Sequence, residues 1–271
     1  MGLPIGVFDS GVGGLTVLRA LRTTLPHESF VYLGDTARLP YGTKSAASVV
    51  RYSIQAADAL IARDIKCLVI ACNTASAVAL RALRERYAPL PVIGVLEPGA
   101  QAACAASASG RIAVIATEGT VRGGAYQAAI HAIRPDARVL AQPCALFVAL
   151  AEEGWVDGAL VEGIVRRYLE PIFAADVASH PDCLLLGCTH FPVLQPVMRR
   201  VLDPAVAIVD SAETTARTVR RLLDDRGLAA APGDPGSMQL LATDAPARFA
   251  RVGGTFFGGR IDEAAVEPID L

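Results

Sequence analysis

The chain has 271 residues, of which 52% are hydrophobic, and its 27 acidic and 25 basic residues give a formal net charge of -2 at pH 7. This length allows one large domain or two smaller ones. The charge balance excludes a dedicated nucleic-acid binder, and no uncharged apolar stretch is long enough to predict a membrane span. Because the first residues, MGLPIGVFDSG, lack the features of a secretory signal, we expect a cytoplasmic protein.

Short apolar runs alternate with longer amphipathic segments along the chain. The predicted strands are, in order, 5–8, 30–35, 67–71, 91–95, 111–116, 137–141, 183–187, 206–210 and 238–244. Helical patterns lie between most of them. This alternation predicts an α/β fold with parallel sheets, whose strands are apolar throughout because helices cover both faces. Residues 227–238, GLAAAPGDPGSM, are predicted to form a surface connection.

Two parts of the chain repeat each other. CLVIAC at 67–72 aligns with CLLLGC at 183–188, and IGVFDS at 5–10 aligns with IAVIAT at 112–117, which places Ser10 on Thr117. Chance similarity between apolar strands is the competing interpretation. A structural repeat predicts two βα halves related by an approximate two-fold axis, with a shared cleft.

Polar residues follow the predicted strands at their carboxyl ends, where ligands bind in doubly wound sheets. The candidates are Asp9, Ser10, Asp35, Cys72, Asn73, Thr74, Thr117, Cys188, Thr189, His190, Asp210 and Ser211. A single cysteine at such a position is most often a small buried apolar residue. Two matched cysteines followed by helix-capping residues instead indicate two reagents that face one pocket.

The sequence assigns each of these cysteines a neighbouring proton carrier. Cys72 and Cys188 are both predicted to precede a helix, where the dipole and free N–H groups lower the pKa of a thiol. Asp9 is the candidate partner of Cys72, and His190 that of Cys188. Their alternative roles are a turn cap for Asp9 and a packed strand-end histidine for His190.

Cofactor and metal motifs are missing from the sequence. In SGVGGLT (10–16), Thr16 stands where the dinucleotide fingerprint needs its third glycine. There is no GxxxxGK[ST] loop and no CxxC pair, and the four histidines have no metal-binding spacing. We therefore expect neither cofactor nor metal. The segment DTARLPYGTKS (35–45) either covers a site or is a plain surface turn.

Several motifs together resemble those of the glutamate racemases, in the cofactor-independent aspartate/glutamate racemase superfamily. They run nearly from end to end: GVFDSGVGGL (6–15), LGDTARLPYG (33–42), ACNTAS (71–76), GVLEPGA (94–100), LGCTHFP (186–192) and VDSAETTA (209–216). The resemblance implies two flavodoxin-like α/β domains facing each other across a cleft. It divides the chain into 1–97 plus 208–271 and 98–207.

The resemblance also implies a reaction and a set of site residues. Cys72 and Cys188 would lie on opposite sides of the α-carbon of glutamate, one taking a proton and the other delivering one. The matched positions imply assisting roles for Asp9, Glu152 and His190. The implied substrate-binding residues are Ser10, Tyr41, Gly42, Asn73, Thr74, Thr117, Thr120 and Thr189.

The sequence departs from the family pattern in several places. From Cys144 it reads CALFVALAEEG, with alanines at 145 and 149 where the family has prolines, so we expect the loop before Glu152 to be stiffened differently. The chain also begins almost directly on its first strand, without the extension of members that a cell-wall precursor activates. We therefore expect no such activator.

The resemblance implies a bacterial cytoplasmic homodimer that supplies D-glutamate for peptidoglycan. Three other functions stay open from the residues. They are a racemase of aspartate or another amino acid, a non-catalytic protein that binds an acidic ligand, and a thiol redox protein, which the wide spacing of the cysteines disfavours.

Overall fold

The computed structural model describes residues 2–173, 180–233 and 235–271. The strands are β1 Ile5–Asp9, β2 Phe30–Gly34, β3 Cys67–Ile70, β4 Val92–Gly94, β5 Arg111–Ala116, β6 Arg138–Pro143, β7 Cys183–Gly187, β8 Ala207–Val209, β9 Met238–Ala242 and β10 Val266–Pro268. The α-helices are α1 Leu15–Thr24, α2 Ala46–Ile61, α3 Asn73–Arg86, α4 Leu96–Ala106, α5 Glu118–Arg122, α6 Ala125–Ile133, α7 Ala145–Glu152, α8 Ala159–Phe173, α9 Gln195–Val201, α10 Ala212–Asp225 and α11 Pro246–Phe257. No helix in these ranges is long and apolar enough to cross a bilayer.

The strands form two parallel sheets. The first has the order β10-β9-β2-β1-β3-β4 and the second β6-β5-β7-β8, and every described strand pair is parallel. The predicted fold class of two parallel-sheet α/β units is therefore confirmed. Because parallel strands end at the same edge, the polar residues that follow β1 and β3 are brought together, as are those that follow β5 and β7.

The two sheets share an order and a register. The strands β2-β1-β3-β4 correspond to β6-β5-β7-β8. Ile5 pairs with Cys67 in the first sheet, and Ile112 pairs with Cys183 in the second. The sequence repeat aligns Ile5 with Ile112 and Cys67 with Cys183. The aligned segments therefore occupy equivalent places in the two sheets.

Alternating side chains of the central strands enter two cores. In β3, Cys67 and Val69 pack into the core beside α1 and α10, whereas Leu68 and Ile70 pack into the core beside α2 and α3. The central strands β1, β3, β5 and β7 are buried on both faces, which explains why their sequences are apolar without alternation. The helices lie on both sides and leave only the strand ends for polar chemistry.

The predicted strands agree with the described ones to within two residues at each end, but β10 was missed. Its three residues, Val266–Pro268, include a charged residue and a proline, and a proline argues against a strand assignment. β10 lies at the edge of the first sheet beside β9, where a missing backbone N–H is tolerated.

A buried ion pair ties the connection after α10 to the first sheet. Lys66 Nζ lies 2.5 Å from Glu28 Oε2, and the two side chains are 5% and 4% exposed. Lys66 also donates to the carbonyl of Leu228 at 2.7 Å, and Glu28 Oε1 accepts the N–H of Ala230 at 2.7 Å. The connection is mostly exposed, as predicted, but its first residues are anchored by these two charges.

Replacing Lys66 with methionine is expected to lower the free energy of unfolding by about 3–5 kcal/mol, because Glu28 would keep a buried charge without its cation. Urea denaturation followed by circular dichroism measures the change. The control Arg81→Ala removes an exposed ion pair with Glu85 and should change the free energy of unfolding by less than about 1 kcal/mol. Equal effects of the two variants would contradict the anchoring role.

Candidate active site

Cys72 stands between β3 and α3, at the carboxyl edge of the first sheet. It caps α3, since its sulfur accepts the backbone N–H of Ala75 at 3.4 Å. Its thiol contacts the hydroxyl of Ser10, which follows β1, at a distance of 3.5 Å. Cys72 is 5% exposed and Ser10 is 9% exposed. The first predicted thiol therefore lies in a closed interior beside a predicted substrate-binding residue.

Asp9 is a fully buried carboxyl at the end of β1. Its Oδ2 accepts the N–H of Gly11 at 3.0 Å, and its Oδ1 has no partner in the described part of the chain. Burial raises the pKa of Asp9, against the opposing effects of the positive charge of His190 and of nearby backbone N–H groups. Asp9 is therefore a weaker acid than an exposed aspartate.

The pKa of Cys72 moves in the direction opposite to the one expected from its helix. Burial and the negative charge of Asp9 raise it to about 12, and the contact with the Ser10 hydroxyl and the hydrogen bond from the N–H of Ala75 only partly oppose this rise. The helix start acts on the sulfur as predicted, but removal from water outweighs it. Cys72 thus rests as a neutral thiol in this closed structure.

Cys188 follows β7 at the carboxyl edge of the second sheet. Its sulfur lies 3.9 Å from His190 Nδ1, and His190 Nε2 lies 3.1 Å from Glu152 Oε1. The other oxygen of Glu152 accepts from Arg248 at 3.2 Å. The chain then enters a 3₁₀ turn, Phe191–Leu194, so the expected α-helix directly after Cys188 is wrong. Pro192 suits this turn because it has no N–H to donate.

The imidazole of His190 is held in its charged form. Burial lowers its pKa, but the contacts with Cys188 and Glu152 outweigh burial and raise it to about 10. Burial raises the pKa of Glu152. His190 and Arg248 lower it by more, so the pKa of Glu152 lies below its usual value. The second thiol therefore lies beside a cation that is itself paired with a carboxylate.

The two halves of the site meet at a glycine. A Cβ atom on Gly13, in the turn between β1 and α1, would lie 2.5 Å from His190 Nδ1 and 2.5 Å from Thr189 Oγ1. Only a residue without a side chain allows this approach. The thiols are close enough that a charge on Cys188 raises the pKa of Cys72, yet both are free, not joined in a disulfide.

Three threonine hydroxyls form a cluster beside Cys72. Thr74 Oγ1 lies 3.0 Å from that of Thr117 and 3.2 Å from that of Thr120, and the last two lie 3.1 Å apart. Gly42 packs on this cluster, because a Cβ atom there would lie 2.6 Å from Thr117 Cβ. Four predicted substrate-binding residues are thus brought together. Among the described residues, no group of His, Cys, Asp and Glu is arranged to hold a metal ion.

Tyr41 is buried, but its hydroxyl is already engaged. It donates to Asp35, which also accepts from Arg38 Nε at 2.7 Å and from Thr243 Oγ1 at 2.9 Å. Asp35, a strand-end candidate in the sequence, therefore anchors the loop that carries Tyr41. The segment 35–45 packs against the site through Gly42. This contact favours a segment that covers the site over a plain surface turn.

Glu152 is the last residue of α7, which spans Ala145–Glu152. The two positions where the family has prolines are thus helical here. A proline at 149 would remove an internal helix hydrogen bond, so the alanines allow a regular helix where we expected an altered loop. The helix delivers Glu152 to His190.

Sequence reasoning missed three residues that complete the site. Gly13 lies in SGVGGLT (10–16), which was compared only with the dinucleotide fingerprint. Arg248 lies 96 residues from its partner Glu152, and Tyr126 lies 53 residues from Asn73, whose Oδ1 accepts from the tyrosine hydroxyl at 2.5 Å. No local motif marks contacts at such separations. Only the fold reveals them.

Comparisons with known proteins agree over nearly the whole chain. The family model of Asp/Glu/Hydantoin racemases matches residues 12–219. The glutamate racemase of Geobacter metallireducens is 49% identical over 259 residues, which cover 96% of this chain and 94% of that protein. The glutamate racemase of Neisseria gonorrhoeae is 44% identical, over 99% of this chain and 97% of that protein. The crystal structure of glutamate racemase from Francisella tularensis in complex with D-glutamate is 35% identical, with a TM-score of 0.90 and with 99% of this chain and 98% of that chain covered.

His190 is expected to remain doubly protonated at pH 8, because Cys188 and Glu152 raise its pKa to about 10. Long-range ¹H–¹⁵N spectra of the imidazole across the pH range measure the midpoint. Glu152→Gln should lower that midpoint by about 1–3 units, since a paired carboxylate has an effect of this size. Glu153→Gln, which changes the exposed neighbour, should not. A wild-type midpoint near 6.5 would contradict the assignment.

The raised pKa of His190 makes the stability of the fold depend on pH. The folded-state pKa of His190 lies above its unfolded value, so its stabilising contribution is complete below about pH 6.5 and is lost as the pH rises through about 10. The lowered pKa of Glu152 acts at the other end, and its contribution is lost as the pH falls below about 4.5. The difference in unfolding free energy between the wild type and Glu152→Gln should therefore shrink at both extremes.

Proposed function

The chain belongs to the Asp/Glu/Hydantoin racemase family, and from this premise we propose that Cys72 and Cys188 racemise glutamate by proton transfer at its α-carbon. The activity is the interconversion of L-glutamate and D-glutamate. The observation that carries the proposal is the pair of buried free thiols at the ends of β3 and β7, each with its own titratable partner. Ligand binding alone would need neither sulfur.

In each direction one sulfur, as a thiolate, accepts the α-proton of glutamate. The other sulfur, as a thiol, donates its proton to the opposite face of the carbon. The two sulfurs exchange protonation states, and no proton is gained or lost overall. Because an α-proton of an amino acid is weakly acidic, the carbanionic transition state must be stabilised by preorganised hydrogen bonds in a site without bulk water.

The two halves of the site favour different charge states. The pKa of Cys72 is raised to about 12, so this half favours a neutral thiol. On the other side, the imidazolium of His190 lies 3.9 Å from Cys188 Sγ, and a cation beside a sulfur favours the thiolate. We therefore assign the resting thiol to Cys72, and we assign to His190 the stabilisation of negative charge on the second sulfur during turnover. Glu152 keeps His190 charged and oriented.

Small polar groups around Cys72 are suited to hold an amino acid. Hydroxyl and amide donors match carboxylates, and the threonine cluster provides several of them within one short region. The proposed substrate-binding residues are Ser10, Tyr41, Gly42, Asn73, Thr74, Thr117, Thr120 and Thr189. Because the hydroxyl of Tyr41 is bound to Asp35, Tyr41 would act through its backbone.

The domain organisation belongs to the same proposal. One domain comprises 1–97 plus 208–271 and the other 98–207, related by an approximate two-fold axis with the active site in the cleft between them. The shared strand order and register support this arrangement. Because β8 (Ala207–Val209) pairs with β7, the second boundary is better placed after Val209.

The cellular role follows from the reaction. We propose a homodimer in the bacterial cytoplasm that supplies D-glutamate for peptidoglycan. Relatives named for glutamate at 44% and 49% identity favour glutamate over aspartate as substrate. Nothing in the site favours a non-catalytic binding protein.

Cys72→Ser and Cys188→Ser are each expected to lower racemisation of glutamate by at least about 100-fold, because a hydroxyl is a much weaker acid than a thiol and loses a proton-transfer step. Optical rotation follows the reaction from L-glutamate, with L-aspartate in parallel. Cys104→Ser is the matched control, since Cys104 lies on α4, where its sulfur donates to the carbonyl of Ile130. Full activity in either of the first two variants would refute the mechanism, and faster turnover of aspartate would refute the substrate.

A further inference from the structure

Tyr126 lies in a closed slot beneath the site. It belongs to α6 and is 1% exposed. A Cβ atom on Gly187 would lie 2.8 Å from Tyr126 Cε2, and one on Gly99 would lie 3.0 Å from its hydroxyl oxygen. The ring therefore fits only because both positions are glycine. Gly187 immediately precedes Cys188, so the slot is part of the same strand end that presents the second thiol.

The hydroxyl of Tyr126 makes one short hydrogen bond to the other half of the site. It donates to Asn73 Oδ1 at 2.5 Å, and Asn73 is the residue directly after Cys72. An amide oxygen can only accept, so this contact uses the tyrosine proton and fixes which end of the amide faces the ring. The opposite end, the Asn73 NH₂ group, must then face away from Tyr126.

That NH₂ group is buried without a partner. Asn73 is 3% exposed, and within the described ranges its Nδ2 makes no hydrogen bond. A buried amide donor that stays unpaired is costly. An acceptor that arrives from outside the chain would remove this cost, and a carboxylate is the acceptor that the proposed substrate carries.

We propose that Tyr126 is a positioning residue that holds the Asn73 amide with its NH₂ group toward a substrate carboxylate. The inference rests on the proposed function, because it assigns the missing acceptor to glutamate. A rotation of the amide by 180° would turn its oxygen toward the carboxylate and replace an attraction by a repulsion. The tyrosine hydroxyl disfavours this rotation, because it would replace the short O–H···O hydrogen bond with a weaker N–H···O one.

Tyrosine suits this task because it keeps its proton. Burial raises its pKa far above the working range, and negative charge on Cys188 and Asp210 raises it further. The hydroxyl therefore remains a donor whichever sulfur carries the charge during turnover. A group that titrated near neutral pH would release the amide in part of the molecules.

Tyr126→Phe removes the hydroxyl and keeps the ring in its slot. The KM for glutamate is expected to rise about 5- to 30-fold, since a hydrogen bond to a charged group is weakened. The kcat should change by less than about threefold, because the carboxylate is bound equally in the ground and transition states. In an Asn73→Ala background, Tyr126→Phe should cause no further rise. Tyr87→Phe, which removes a hydrogen bond to Asp58 on the surface, is the matched control and should leave both constants unchanged.

Three kinetic outcomes would overturn the proposal: an unchanged KM, a loss confined to kcat, which would place Tyr126 in the chemical step, or a full additional effect in the Asn73→Ala background. A measurement on the wild type does not depend on the folding of any variant. The side-chain ¹⁵NH₂ resonances of Asn73 should shift when glutamate is added, and unshifted resonances under saturating glutamate would refute the contact. If the wild type neither binds nor racemises glutamate, the proposed function fails; if it does both and Tyr126→Phe is silent, only this inference fails.

Discussion

The site depends on the contact between the glycine turn after β1 and the strand end after β7. Gly13 lies so close to Thr189 and His190 that a single added methyl group would sit 2.5 Å from both. This approach brings two strand ends from separate sheets into one interior. With any other residue the side chains of Thr189 and His190 would have to shift, and His190 is the residue beside the second thiol. A glycine that looks like an ordinary turn residue in sequence thus permits the close approach of the two strand ends.

Burial is the second constraint, and it acts differently on the two sides. Around Cys72 and Asp9 it raises the pKa of both groups, and the Cys72 thiol retains its proton. Around His190 it is outweighed by the neighbouring sulfur and by Glu152, so a positive charge is retained. A reaction that moves one proton between two sulfurs benefits from this asymmetry, since one half is prepared to donate and the other to accommodate negative charge. Arg248 extends the charged side to α11.

The sequence alone was sufficient for the fold class, the strand positions and the two thiols, because these are encoded locally. Apolar runs mark strands, and the matched strand ends of Cys72 and Cys188 are visible as a repeat. Three features could not be predicted from the sequence. The pKa of Cys72 depends on how completely the site closes, which no helix-start rule contains. The short edge strand β10 has no apolar run. Tyr126 and Arg248 act across large separations in the chain, and only the packed structure brings them to Asn73 and Glu152.

The most direct test of the two-thiol account is the fate of the α-proton in deuterated water. The reaction is started from L-glutamate and, separately, from D-glutamate, and both enantiomers are analysed at early times. With two thiols on opposite faces, the product should carry deuterium at its α-carbon while the remaining substrate keeps its protium. Deuterium appearing in the remaining substrate as fast as in the product, or protium retained in the product, would contradict the account.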